Sequence, residues 1–285
     1  MQDEAYLKLL YKAHTGKKLN LDSPVTFNEK LQWLKLYNRC PKYTELVDKL
    51  SVKKYIAGEI GEQYVIPTLG VWERFEDIDF ETLPDQFVLK CTHDSGGLVI
   101  CRDKKTLDIE KAKEKINRSL KTNYYYSGRE WPYKDVKPRI IAEQYMSDKA
   151  TQTEGLSEKA LVDYKFFCFQ GVADSVMVCT ERETGEPKFY FFDKEWKLKK
   201  YNKRGKEAPD HFTLPKPKDM DKMFAMAERL SRDIPYVRVD LYNINDLIYF
   251  GELTFFPDSG FDANILPESD RYWGDMIQLP GRGEE

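Results

Sequence analysis

The residue pattern with the clearest chemical potential lies near the C-terminal end of the chain, where two β-rich runs flank a turn rich in Asn and Asp. These runs predict a β-hairpin. Because side chains alternate along a strand, Arg238 and Asp240 share one face, and Glu252 and Thr254 share a face on the returning strand. If the turn centres on 245–247, Asp240 and Glu252 come directly or diagonally opposite each other.

Two opposed carboxylates destabilise a sheet unless a positive charge lies between them. A hard divalent cation would relieve this repulsion, and magnesium is usually held by one or two carboxylates together with phosphate oxygens of a substrate. The hairpin is therefore a candidate magnesium site. An ordinary hairpin, with one carboxylate turned into solvent against a lysine, is an equal alternative from the hairpin alone.

A second pattern is an apolar strand that ends at Lys90 and is followed by a small turn containing Ser95, Gly96 and Gly97. A lysine in that position loses hydration unless its ammonium meets an anion. A Gly-Gly turn brings backbone N–H groups close to phosphate oxygens. Together these features indicate a phosphate-binding turn, although a plain hairpin with its edge lysine in water would have the same pattern.

A third pattern is an apolar strand that runs into the polar end formed by Glu143, Gln144, Tyr145 and Met146. Such a segment can offer backbone groups and a carboxylate to the edge of an adenine ring. More often it is simply a strand that leaves the core.

Composition narrows the class of protein. The chain has 285 residues, with 45 Lys plus Arg, 48 Asp plus Glu and a formal charge of −3, which disfavours nucleic acid as its main partner. No apolar run is long enough to span a bilayer and the first residues lack a signal-peptide pattern, so we expect a cytoplasmic protein. Five cysteines without a C-x-x-C motif and only three histidines disfavour disulfides and zinc.

Several common active-site motifs are absent from the sequence, including the P-loop, the Rossmann glycine motif, G-x-S-x-G and H-E-x-x-H. The triplets 77–79 and 219–221 are D-x-D patterns, which hold a metal and a sugar nucleotide in glycosyltransferases. A metal-dependent glycosyltransferase is therefore an alternative function. In a chain with 33% charged residues, such triplets also arise by chance.

The elements that must position these residues indicate an α+β fold, with strands in groups separated by helices. Helices are predicted around 7–11, behind the capping-box sequence 26–29, and over 43–57, 108–121 and 219–232. Strands are predicted over 64–66, 86–91, 98–101, 139–143, 161–169, 172–179, 188–192, 236–242 and 247–253. Loops are predicted over 147–160 and 202–218.

Taken in order, several segments resemble the TupA-like branch of the ATP-grasp superfamily, named for teichuronopeptide biosynthesis, over nearly the whole chain. The segments that carry the resemblance are TFNEKLQW (26–33), DKLSVKKY (48–55), FVLK (87–90), SGG (95–97), DYKFF (163–167), VRVD (237–240) and GELTFFP (251–257). No single motif decides the assignment, but this order of motifs is fairly specific.

The resemblance implies an ATP-grasp fold, in which two α+β subdomains grip ATP between antiparallel sheets after an N-terminal helical segment. On this basis we expect an N-terminal helical segment over 1–62. A subdomain with the phosphate-binding lysine and Gly turn would span 63–137, and one with the adenine and magnesium sites would span 138–285.

The resemblance also assigns roles to individual residues. Lys49 and Lys90 are expected to bind the ATP phosphates, with the turn formed by Ser95, Gly96 and Gly97 folded over them. The expected adenine contacts are Glu143, Gln144, Tyr145 and Met146. Asp148 is the nearest candidate for the ribose contact. The expected catalytic residues are Lys165, on a phosphate, and Arg238, facing the reacting carboxyl group. Magnesium would be carried by Asp240 and Glu252. Thr254 stands where the family usually has an Asn ligand, and a threonine hydroxyl coordinates only weakly.

The implied reaction is that of an ATP-dependent carboxylate–amine ligase. ATP converts a carboxylate into an acyl phosphate, and an amine then displaces phosphate to give an amide. The branch suggests a sugar acid or acidic polymer of cell-surface polysaccharide assembly, such as a capsule, as the carboxylate substrate. The basic stretch 194–206 is a candidate contact for an acidic polymer, with a solvated loop as the more common explanation of such a run. An inactive relative that only binds ATP is a further alternative.

Overall fold

The computed structural model describes residues 1–147, 161–180 and 186–282, and the chain forms two compact units. The terminal unit combines Met1–Arg39 with Asp148–Glu285, and the central unit is Cys40–Ser147. These units do not follow the three expected segments, because the N-terminal helical region is divided after Arg39. The division into functional segments stays a prediction.

The described residues contain helices and strands in the proportions of an α+β protein, which confirms the predicted fold class. The helices are α1 (Asp3–Thr15), α2 (Phe27–Tyr37), α3 (Pro41–Val47), α4 (Ser51–Glu59), α5 (Ile109–Leu120), α6 (Tyr125–Gly128), α7 (Lys203–Glu207), α8 (Met220–Leu230) and α9 (Pro267–Met276). The strands are β1 (Thr68–Trp72), β2 (Phe87–Cys91), β3 (Leu98–Cys101), β4 (Ile140–Gln144), β5 (Asp163–Phe169), β6 (Val172–Thr180), β7 (Lys188–Phe192), β8 (Leu198–Lys199), β9 (Val237–Ile244) and β10 (Leu247–Thr254). Within the described part of the chain, no helix is long and apolar enough to cross a lipid bilayer.

The four-stranded sheet lies in the central unit and has the strand order β1-β4-β2-β3, with antiparallel neighbours. Burial alternates along β2, because Phe87 and Leu89 point into the core beneath α5 while Lys90 is only half-buried. Glu143 of β4 pairs in register with Val88 of β2. Lys90 and Glu143 therefore lie on the same face of the sheet, away from that core.

The six-stranded sheet lies in the terminal unit and has the order β10-β9-β5-β6-β7-β8, again antiparallel. Helix α8 covers one face, where Phe224 packs edge-on against Phe166 with ring centroids 4.9 Å apart. On the opposite face, one row of register partners crosses all six strands: Glu252, Asp240, Lys165, Met177, Phe191 and Lys199. This row brings charged residues from distant parts of the sequence onto one surface.

Helix α2 begins with the predicted capping box. Thr26 Oγ1 accepts a hydrogen bond from Glu29 N at 3.3 Å, and Glu29 Oε2 accepts one from Thr26 N at 3.1 Å. Phe27 then packs edge-on against Trp273 of α9, with ring centroids 5.5 Å apart, and Trp273 stacks on Phe167 at 4.9 Å. The two helices thus cover part of the sheet face that carries Lys165.

The predicted strand at 64–66 is wrong. Glu62–Tyr64 forms a 3-10 turn, and the strand begins after Pro67 and pairs with β4. Ile66 is buried, but its carbonyl accepts a hydrogen bond from Lys53 Nζ at 2.6 Å rather than from a neighbouring strand. The apolar residues at 64–66 therefore indicate burial and do not form a strand.

The predicted helix over 43–57 is two helices, α3 and α4. The break occurs at Asp48, whose carboxylate accepts hydrogen bonds from Leu50 N at 3.0 Å and Ser51 Oγ at 2.9 Å. Such local side-chain bonds compete with the helix backbone. Helix α9 and strand β8 were not predicted, and α7 lies within the predicted loop 202–218. Most of the predicted loop 147–160 lies outside the described residues.

Two helical glycines provide a test of the packing of α2 against α9. A Cβ added at Gly274 of α9 would lie 2.8 Å from Thr26 C and 2.9 Å from Phe27 N, whereas one at Gly58 of α4 would meet nothing within 4 Å. We expect Gly274→Ala to lower the free energy of unfolding by roughly 1–3 kcal/mol, because backbone atoms must move. Gly58→Ala should leave it unchanged or raise it by up to about 1 kcal/mol through helix propensity. Urea unfolding measures both, and equal effects of the two variants would contradict this packing.

Candidate active site

Asp240 is the most enclosed acid in the charged row of the terminal unit, at 3% exposure. Its carboxylate accepts hydrogen bonds from Arg238 Nε at 2.7 Å and Arg238 Nη2 at 2.8 Å, so the guanidinium binds it through two nitrogens. Lys165 Nζ from the neighbouring strand β5 also donates to it. Two cations therefore neutralise one buried carboxylate.

Glu252 lies directly opposite Asp240 in the β9–β10 ladder, which is one of the two placements expected from the sequence. The register shifts between Phe250 and Glu252, which places a bulge at Gly251. A Cβ added at Gly251 would lie 3.0 Å from the backbone oxygen of Asp240, so the strands approach closely there. The bulge allows Glu252 to share a face with Asp240.

Arg238 also connects this carboxylate pair to Thr254. Its Nη2 lies 3.4 Å from Glu252 Oε1 and donates to Thr254 Oγ1 at 3.0 Å, while Thr254 Oγ1 donates to Glu252 Oε1 at 3.3 Å. The Glu252 side chain is 48% exposed, in contrast to that of Asp240. The positive charge that the opposed carboxylates require is thus supplied by an arginine of the same face.

The charges of this cluster shift one another's pKa values. Burial acts to raise the pKa of Asp240, but Arg238 and Lys165 outweigh it and hold that pKa below its ordinary value. Burial acts to lower the pKa of Arg238, and its pairing with Asp240 raises the pKa above the ordinary value. Asp240 is therefore ionised and Arg238 protonated at neutral pH.

Asp163 and Tyr242 extend the cluster on β5 and β9. Asp163 Oδ2 lies 3.4 Å from Lys165 Nζ, and Asp163 pairs in register with Tyr242. Burial and the nearby acids, Asp163 first among them, raise the pKa of Tyr242 well above its ordinary value. We assigned no role to Asp163 from the sequence, although its position two residues before Lys165 places both on one face of a strand.

The donor atoms of the cluster suit a hard cation. Asp240, Glu252 and Thr254 offer only oxygen, and magnesium is commonly held by one or two carboxylates, with phosphate and water oxygens completing its shell. Within the described residues, no group of three or more His, Cys, Asp or Glu side chains is arranged to hold a metal. Asp240, Glu252 and Thr254 are the residues that would hold magnesium, with phosphate oxygens as its further ligands.

A second charged cluster lies in the central unit, around Glu143. Lys90 Nζ lies 2.6 Å from Glu143 Oε2, and Lys53 Nζ from α4 lies 2.5 Å from Glu143 Oε1. Burial acts to raise the pKa of Glu143, but the two lysines outweigh it and the pKa is lowered. The sequence motifs indicate roles for Lys90 and Glu143 of this trio, but none for Lys53.

The predicted phosphate-binding turn is fixed at its two ends. Lys49 Nζ donates to Asp94 O, and the Asp94 carboxylate accepts from Gly97 N at 3.1 Å and from Ser119 Oγ of α5. Gly97 is buried and leaves no room for a Cβ against Ser119 and Cys91. Ser95 and Gly96 remain exposed, so the turn presents them to solvent from an anchored base.

The segment after Glu143 is only partly available to a ligand. Gln144 N donates to Pro67 O at 3.0 Å, while the Gln144 side chain is exposed. Tyr145 and Met146 are half-buried, and Tyr145 Oη accepts a hydrogen bond from Arg102 Nε at 3.4 Å. Asp148, the candidate ribose contact, lies outside the described residues.

The D-x-D triplets have local structural roles. Asp77 pairs with Arg74, and Asp79 accepts a hydrogen bond from Glu81 N at 3.0 Å. Asp221 pairs with Lys216 at 3.3 Å. These contacts are typical of turns and helix ends, and they do not favour a sugar-nucleotide site.

Several ATP-grasp ligases of known structure are similar to this chain. The chain is similar to the D-alanine–D-alanine ligase from Bacillus anthracis complexed with ATP, at 19% identity and TM-score 0.45, over 81% of this chain and 63% of that one. It is similar to the D-alanine–D-alanine ligase from Helicobacter pylori at 13% identity and TM-score 0.45, over 88% and 69%. It is also similar to the ATP-grasp ligase PsnB complexed with minimal precursor, Mg and ADP, at 9% identity and TM-score 0.41, over 80% and 57%.

The chain thus spans less than two thirds of the length of the Bacillus anthracis ligase complexed with ATP and of PsnB, with 63% and 57% covered. No curated protein gives a significant match to it. The model of the TupA-like ATPgrasp family matches residues 29–278. This chain belongs to the TupA-like ATP-grasp family, as its motifs indicated.

The lowered pKa of Glu143 predicts a pH dependence of stability. Its stabilising effect is fully present above the pKa of the unfolded chain and is lost as pH falls through the lower pKa of the folded state. We expect the difference in unfolding free energy between wild type and Glu143→Gln to be constant above about pH 5 and to shrink below it, by up to about 1.4 kcal/mol per pH unit. Urea unfolding from neutral to acid pH measures this difference. A difference that grows as pH falls would contradict the assignment, and Glu81→Gln, at an exposed site, serves as the control.

Proposed function

We propose that this chain is an ATP-dependent carboxylate–amine ligase that makes an amide through an acyl phosphate and releases ADP and phosphate. A carboxylate is a poor acyl donor at neutral pH, because its leaving group would be oxide. Transfer of the γ-phosphoryl group to a carboxylate oxygen creates a good leaving group. The amine then attacks the carbonyl carbon, loses a proton and expels phosphate.

The observation that carries the proposal is the register of Asp240 with Glu252 beside Arg238 and Lys165. Phosphoryl transfer depends mainly on positioning and on offsetting the charge of the transferred group. Asp240 and Glu252, with Thr254, would hold magnesium. When bound, this ion offsets charge on the phosphates.

The cationic residues have separate roles in this proposal. Arg238 orients the carboxylate substrate, and Lys165 contacts the transferring phosphoryl group. In the central unit, Lys49 and Lys90 bind the nucleotide phosphates and Glu143 contacts adenine. The exposed turn Ser95 to Gly97 offers further backbone N–H groups to phosphate.

Glu252 provides the sharpest test of this function, because its half-exposed side chain can change without leaving a buried charge. We expect Glu252→Gln to lower kcat for carboxylate- and amine-dependent ADP release by about 100-fold or more, the scale for losing one transition-state electrostatic contact. Asp246→Asn, in the turn of the same hairpin, is the matched control and should change kcat less than about twofold, since Asn also tolerates the left-handed backbone at that position (φ 62°).

Alternative reactions give different results in this assay. ADP release without any carboxylate would replace the ligase by a kinase or ATPase. ATP binding without turnover would favour an inactive relative. Sugar transfer that is lost in Asp77→Asn or Asp219→Asn but not in Glu252→Gln would favour the glycosyltransferase.

We propose further that the carboxylate substrate is an acidic sugar polymer of cell-surface polysaccharide assembly, and that the basic segment 194–206 contacts it. This segment contains one acidic residue, Glu195, against seven basic ones. Its basic residues, mostly exposed, are Lys194, Lys197, Lys199, Lys200, Lys203, Arg204 and Lys206. Lys199 lies in the same cross-strand row as Asp240, four strands away, or roughly 19 Å at the usual strand spacing. A single sugar acid cannot span that distance, whereas a chain of several can.

Neutralising part of the basic segment tests the polymer. The test is a triple variant that replaces Lys197, Lys203 and Lys206 with Gln. We expect this variant to raise KM for a polygalacturonate oligomer about tenfold at low salt. KM for ATP and KM for monomeric galacturonate should stay unchanged, because only the polymer reaches the segment. Lys12→Gln/Lys17→Gln/Lys18→Gln removes the same charge from exposed sites near the N-terminus and is the control. Equal loss in both triple variants would show a general charge effect and contradict the contact.

A further inference from the structure

Glu143 has two lysine partners that differ in their surroundings. The Lys90 side chain is 26% exposed and the Lys53 side chain 14%, while that of Glu143 is 8% exposed. Lys53 Nζ also donates to Ile66 O at 2.6 Å, so it is held by a backbone group as well as by the carboxylate. Lys53 is thus the fixed partner of Glu143, and Lys90 is the one nearer to solvent.

We infer that Lys53 is a positioning residue for nucleotide binding, which keeps Glu143 paired so that the ammonium of Lys90 can turn to a nucleotide phosphate. The inference rests on the proposed function, in which Lys90 binds phosphate. It adds a role for Lys53, which reaches the nucleotide only through Glu143 and Lys90.

The buried carboxylate of Glu143 needs a positive partner at all times. If Glu143 had Lys90 as its sole partner, moving that ammonium to a phosphate would leave the carboxylate buried without a countercharge, which is strongly destabilising. With Lys53 in place, one oxygen of Glu143 keeps its ion pair throughout. The cluster then carries one positive charge in excess, and that excess is available to an anion.

The protonation states support this arrangement. Burial lowers the pKa of Lys53, and the charge of Glu143 only partly offsets that effect. The lowered pKa of Glu143 keeps its carboxylate ionised at neutral pH. Glu143 therefore remains a negatively charged partner for the lysines of the trio at neutral pH.

The helix provides a matched control. Val52 and Ile56 are buried and fix the orientation of α4, so Lys53 lies over Glu143 while the next residue, Lys54, is exposed. Lys53→Met and Lys54→Met remove the same charge from adjacent positions of one helix. Only the first removes a partner of Glu143.

The experiment measures Kd for ATP and for adenosine, together with kcat, in the full chain. Lys53→Met should weaken ATP binding about tenfold or more, because Glu143 then retains Lys90. The affinity for adenosine and kcat at saturating ATP should each change less than about threefold. Lys53→Arg should restore ATP binding to within about threefold, and Lys54→Met should match wild type. A merely structural role would weaken ATP and adenosine alike, and that result would overturn the inference.

A double-variant cycle tests the route through Glu143. In the Glu143→Gln background Lys90 has no carboxylate to retain it, so adding Lys53→Met should change ATP affinity less than about twofold. An undiminished effect of Lys53→Met in that background would overturn the inference. If Lys53→Met does not fold, as judged by its thermal unfolding, Lys53→Gln, which can still donate to Ile66 O, takes its place in every comparison.

Failure of the inference differs from failure of the proposed function. If wild type binds ATP and Lys90→Met weakens that binding while Lys53→Met does not, only the inference fails. If wild type binds no ATP, both fail.

Discussion

The compensation of buried charge is the constraint on which the rest of this structure depends. Asp240 lies among buried strands, where a carboxylate without partners would be strongly destabilising. Arg238, from the same strand, and Lys165, from the adjacent strand β5, neutralise it, and the second contact requires the observed pairing of β9 with β5. The sheet register and the charged cluster are therefore one property of the molecule.

The central unit also compensates a buried charge, but there the positive charges exceed the negative ones. There one carboxylate, Glu143, lies between two ammonium groups, and the excess is positive. In the terminal unit Asp163, Asp240 and Glu252 outnumber Lys165 and Arg238. An excess of positive charge suits an anion, and an excess of carboxylates suits a cation.

The sequence predicted those parts of the fold and candidate site that depend on local periodicity. Alternation along two strands, with the turn placed at 245–247, indicated that Asp240 opposes Glu252, but the observed register depends on the bulge at Gly251. The capping box at Thr26 was evident from the spacing of its residues. The features that the sequence did not predict depend on contacts between residues that are far apart in the chain. Lys53 contacts Glu143 only because α4 packs near the four-stranded sheet. The division between α3 and α4 depends on the hydrogen bonds of a single side chain, that of Asp48. The strand beginning at Thr68 was missed because most of its side chains are exposed and its pairing with β4 defines it.

Oxygen labelling tests most directly the proposed transfer of a phosphoryl group to a carboxylate before amide formation. With a carboxylate substrate labelled with ¹⁸O in both oxygens, one labelled oxygen should appear in the released inorganic phosphate for each amide formed, since the bond between carbonyl carbon and that oxygen breaks when the amine attacks. Mass spectrometry of the phosphate measures the transfer. Amide or other product formed with unlabelled phosphate would contradict the acyl phosphate route.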